Sequence, residues 1–117
     1  MNGLIDDLHY TAPLRKLILD NPELPLVVFA GQDACDRWHY NSCVCTEVEA
    51  YKGEFLNCNV DFSDECYTDR EHFREDMEDH YYGNFDGVGA EFERFIEDKL
   101  IEYEDYWVQC IIVEVDN

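Results

Sequence analysis

Positive charge is what this 117-residue sequence has least of: 8 Lys and Arg stand against 28 Asp and Glu, a net charge of −20. That balance disfavours nucleic-acid backbones and anionic membrane surfaces as direct ligands, and favours a basic protein as partner. Proline and glycine are also sparse, with 3 and 6 residues, and there is no internal repeat or low-complexity tract. No apolar run approaches the ~20 residues needed to cross a bilayer. The start, MNGLIDDLHYTAPLRKLIL, lacks a basic segment followed by an apolar one, so no signal peptide is expected. The expected compartment is the cytoplasm, where thiols stay reduced. Catalytic signatures are missing too: no Gly-rich phosphate loop, no G-x-S-x-G, no H-E-x-x-H, and no H-x-E with C-x-x-C. The reading is therefore of a protein that is not an enzyme.

What is present is apolar material, thiols and carboxylates. Hydrophobic residues make up 46% of the chain, so it can build a core despite its charge. Five of six cysteines fall within 35–66: Cys35, Cys43, Cys45, Cys58 and Cys66, with His39 among them. From Asp61 to Tyr106 there are seventeen carboxylates against four basic residues, a net of −13.

Periodicity predicts one α+β domain over 1–117, with a mixed or antiparallel sheet of about four strands, an N-terminal helix and two acidic amphipathic helices. Thr11-Ala12-Pro13 opens the first helix, with Leu14, Leu17 and Ile18 on one face, and Asn21-Pro22 ends it. Leu24–Ala30 reads as a buried central strand, followed by a loop over Gln32–Asn41. Cys43–Tyr51 alternates as a half-exposed strand. Lys52-Gly53 then suggests a turn into a partner strand, Glu54–Cys58. An acidic loop, Asn59–Tyr67, leads to Thr68-Asp69, which offers a cap for a helix over Arg70–His80 with Phe73, Met77 and His80 facing inward. Tyr82-Gly83-Asn84 breaks that helix. The next, Ala90 to Glu104, carries Phe92, Phe95, Ile96, Leu100 and Tyr103 as its buried stripe. A last strand, Trp107–Val115, places Cys110 in the core.

The expected hairpin would bring Cys58 opposite Cys43 and Cys45. Those three with Cys66 form the preferred set for a structural zinc, with Cys35 and His39 in reserve. Cys43-Val44-Cys45 is not the usual C-x2-C knuckle, so reduced core thiols and disulfides stay open as readings. His9, His72 and His80 read as surface or packing residues. A reactive cysteine (Cys35 beside His39, or Cys66 beside His72) would instead imply a small cysteine-dependent enzyme.

The carboxylates expected to meet a partner are Glu75, Asp76, Glu78 and Asp79 on the first acidic helix, and Glu93, Glu97, Asp98 and Glu102 on the second. On successive turns they lie about 5–6 Å apart, close to the spacing of phosphates along a nucleic-acid strand.

The strings LPLVVFAGQDA, CTEVEAYKGEFLNC, CYTDREHFREDM and YWVQCIIVEVDN together resemble small acidic proteins of Firmicutes prophages and mobile elements, and among them type II anti-CRISPR inhibitors, some of which bind zinc. The likeness spans about Leu14 to Asn117. It implies a phage-encoded inhibitor that binds a guide-loaded CRISPR effector nuclease and hinders target-DNA loading. An anti-restriction protein that mimics DNA is the neighbouring reading.

Overall fold

The apolar run at the end of the chain, rather than the one near its start, forms the middle of the sheet. In the computed structural model, which describes residues 3, 5–34, 43–85 and 89–117, the elements are α1 (Ala12–Asp20), β1 (Leu26–Ala30), β2 (Glu47–Leu56), α2 (Arg70–Tyr81), α3 (Gly89–Tyr103) and β3 (Trp107–Asp116). The strand order is β1-β3-β2, and β1 runs parallel to β3 with Leu26 opposite Ile111 and Ala30 opposite Val115. The class is α+β, as the sequence implies, but the sheet has three strands among the described residues rather than four.

Two expectations are corrected here. β1 is an edge strand, with Leu26 and Val28 exposed, whereas Cys110, Ile111, Ile112 and Val113 of β3 are buried on both faces. Both runs are apolar and β-branched, and only the pairing decides which lies inside. The second correction concerns the hairpin. Glu47–Leu56 is one extended ten-residue strand that passes straight through Lys52-Gly53. Glycine is needed there for packing, not for turning. A Cβ at Gly53 would stand 2.8 Å from Cδ1 of Ile112, and a glycine inside a strand commonly marks such an approach.

The chain reverses further on. Val60 and Ser63 form an antiparallel bridge, and Leu56 N–H donates to the Tyr67 carbonyl at 2.9 Å, so 56–60 lies against 63–67 around Asp61-Phe62. Asp69 then caps α2. Its Oδ1 accepts from the backbone N–H of Glu71 at 2.9 Å and of His72 at 3.4 Å, satisfying first-turn donors that would otherwise lack partners.

By contact the chain divides into two compact units, Met1–Gly53 with Gln109–Asn117, and Glu54–Val108. The first has α1, β1 and the buried part of β3, including Cys110 as expected. The second has a core of Leu56, Tyr67, Phe73, Met77 and Ile96, with Phe92, Phe95, Leu100 and Tyr103 half-buried against it. His80 does not face inward, and takes the surface packing role that the sequence also suggests. It is exposed, and its ring stacks on Phe62 at 5.2 Å between centroids. No helix among the described residues is long and apolar enough to cross a membrane.

Candidate functional site

α2 and α3 turn their apolar stripes inward because Phe73 and Met77 on α2, and Phe92, Ile96 and Leu100 on α3, recur at helical spacing. The carboxylates are left outside as a result. Glu71, Glu75 and Asp79 form one exposed row on α2, each one turn from the next. On α3, Glu91, Glu93, Glu97, Asp98 and Glu102 are exposed.

The cations of this segment are mostly taken up internally. Arg70 reaches Glu54 at 2.6 Å and Glu104 at 2.7 Å, and its guanidinium lies 4.7 Å from the Trp107 ring centroid. Those two carboxylates raise the Arg70 pKa further above its ordinary value. Arg74 bridges Glu78 at 2.8 Å and Glu97 at 2.7 Å, and Lys99 lies 3.6 Å from Glu102. The eight carboxylates expected to meet a partner therefore fall into two groups. Glu78, Glu97 and Glu102 are in ion pairs, and Asp76 is hydrogen-bonded within the fold. Glu75, Asp79, Glu93 and Asp98 are exposed with no ion-pair partner among the described residues.

Arg74–Glu97 spans from α2 to α3, and Arg70–Glu104 reaches from α2 to the short 3-10 turn that follows α3. Beside them opens a groove of about 410 Å³ lined by Phe73, Leu100, Ile101 and Trp107 among others. Ile101, at the edge of this groove, is 71% exposed.

A second constellation lies where the 63–67 arm meets α2. Tyr67 is buried, and its hydroxyl donates to Asp76 Oδ2 at 2.6 Å. Burial first, and then that bond to a carboxylate, push its pKa up to about 12. His72 Nε2 sits 2.7 Å from Glu65 Oε1 and 3.6 Å from Asp76 Oδ2. The Glu65 contact raises the His72 pKa against a smaller desolvation effect, and Asp76 and Glu75 add to the rise. One ligand atom from each of Glu65, His72 and Asp76 lies within 4.8 Å of the others, a spacing one cation could bridge. Sequence reading placed His72 on the surface and missed this link. The i,i+4 spacing of His72 and Asp76 was the available signal, whereas the contact with Glu65 depends on the reversal at Asp61-Phe62.

Of the expected zinc set, Cys43 and Cys45 belong to the first compact unit, and Cys58 and Cys66 to the second. Cys43 and Cys45 precede β2, and both lie against the Ala34 carbonyl, the latter with its Sγ at 3.6 Å. Cys58 and Cys66 follow β2 and line one pocket with Asp64 and Glu65. Neither compact unit gathers four thiols among its described residues, and Cys35 and His39 lie outside the described residues. None of the five described cysteines is in a disulfide. Desolvation, with Cys43 beside it, pushes the Cys45 thiol up, and burial does the same to Cys58 and Cys66. Activated nucleophiles are shifted the other way.

No known family model, characterised protein or solved structure matches this chain, so the likeness to phage-borne inhibitors rests on the sequence strings quoted above.

Proposed function

We propose that this protein is a non-catalytic, stoichiometric inhibitor that docks through the carboxylate rows of α2 and α3 onto a basic nucleic-acid-binding protein. A type II CRISPR effector nuclease is the partner implied by the sequence likeness. One observation carries the reading. The acidic segment spends Arg70, Arg74 and Lys99 on internal ion pairs and leaves Glu75, Asp79, Glu93 and Asp98 exposed without such partners. An exposed carboxylate row of this kind supplies counter-ions to the Arg and Lys of a nucleic-acid channel, and steers association through long-range attraction. The proposal does not depend on the structural zinc expected on Cys43, Cys45, Cys58 and Cys66, two of which belong to each compact unit.

The test is charge reversal at positions whose side chains hold nothing together. Changing Glu75, Asp79, Glu93 and Asp98 together to Lys should leave the melting temperature close to wild type. It should weaken binding to a purified guide-loaded effector by about tenfold or more and restore target-DNA loading. Undiminished binding and inhibition by that variant would overturn the proposal.

A further inference from the structure

The groove beside the ion pairs has features that a carboxylate surface alone does not need. Charge-only docking requires no apolar opening, yet Ile101 stands 71% exposed beside a recess lined by Phe73, Leu100 and Trp107. Arg70–Glu104 and Arg74–Glu97 frame this recess, so its two arginines are already neutralised by carboxylates. Glu71 adds an exposed carboxylate to the rim, and Glu75 continues the same row one turn along α2.

We infer that this groove is the seat for one apolar side chain of the partner, carried on a Lys/Arg-rich segment whose cations meet Glu71 and Glu75 along its rim. The inference rests on the docking reading above and gives it an anchor point. Charge complementarity selects the occupant. With a net charge of −20, a second copy of this chain is repelled, and so are an anionic membrane surface and a nucleic acid. A cationic segment is attracted to the rim. Once it is there, burying one large apolar side chain against Ile101 supplies what exposed ion pairs cannot, since those contribute little in water. Interfaces of this kind concentrate their affinity in such a central anchor ringed by polar contacts.

The experiment uses the full chain and a pair of synthetic peptides, each Lys/Arg-rich, one with a central leucine and one with serine in its place. Calorimetry should show the leucine peptide binding about tenfold or more tighter than the serine peptide. Its addition should also shift the NMR signal of the Ile101 δ-methyl group. Ile101→Ser should remove the leucine peptide's advantage and leave the melting temperature unchanged, because this side chain is mostly in water. Leu100→Ala, read with the same peptides, provides a second variant from the groove lining. Equal binding of the two peptides, an unmoved Ile101 signal, or no binding of either would overturn the inference. Failure here is separable from failure of the docking reading, which stands or falls on the four-site charge reversal and effector inhibition.

Discussion

His72 shows how one side chain can couple stability to pH. Its Nε2 joins Glu65 on the 63–67 arm and Asp76 on its own helix, and the Glu65 contact raises its pKa above the ordinary 6.5. A folded-state pKa above the unfolded one means that the protonated form is bound more tightly by the fold. Its stabilising contribution is therefore complete below the unfolded value and is lost as pH rises through the raised one. Urea unfolding from about pH 5 to 8 should show wild type losing stability relative to His72→Gln as pH increases. Parallel profiles for the two proteins would mean that the pairing contributes nothing to folding. Tyr67 belongs to the same link but carries a different weight. Buried, with its hydroxyl on Asp76, it ties the arm to α2 through the core rather than through solvent.

At the scale of elements, the helices and the strands at Leu26–Ala30 and Trp107–Asp116 were legible, and strand pairing was not. α1, α2 and α3 follow from 3.6-residue periodicity and from local signals, namely Pro13 in the first turn and Asp69 before Arg70. The Asp69 cap is worth about 1 kcal/mol by comparison with other acidic caps. Asp69→Ala should lower the urea midpoint accordingly, with an unchanged midpoint counting against the cap. Strand errors came from reading pairwise facts as local ones. Lys52-Gly53 has the composition of a turn, but Gly53 answers to Ile112, 59 positions further along the chain. Edge or centre was likewise undecidable for Leu24–Ala30, since a run of apolar residues does not announce its neighbours. The acidic faces survived because they depend only on helical phase, and the groove at Ile101 went unseen because it needs two helices to define it.

For the molecule as a whole, charge sets the response to salt. Raising ionic strength from about 0.01 M to about 1 M shortens the screening length from ~30 Å to ~3 Å. A chain at −20 should then be relieved of self-repulsion. Its melting temperature should rise with sodium chloride, while affinity for a basic partner falls over the same range. A melting temperature that drops with salt would mean that the internal ion pairs of Arg70 and Arg74 outweigh the repulsion.

β3 also sets the order in which the protein can fold. Leu26 pairs with Ile111 and Ala30 with Val115, so the strand at the middle of the sheet leaves the ribosome after both of its neighbours. Until Trp107–Asp116 has emerged, β1 and β2 are each without their shared neighbour. α2 and α3, by contrast, belong to a unit whose contacts are closer in sequence. Pairing over such a span is slow because chain closure precedes the gain from contact. During synthesis the helical unit is thus placed to form ahead of the sheet, and nascent chains would expose the apolar edge of β1 in that interval.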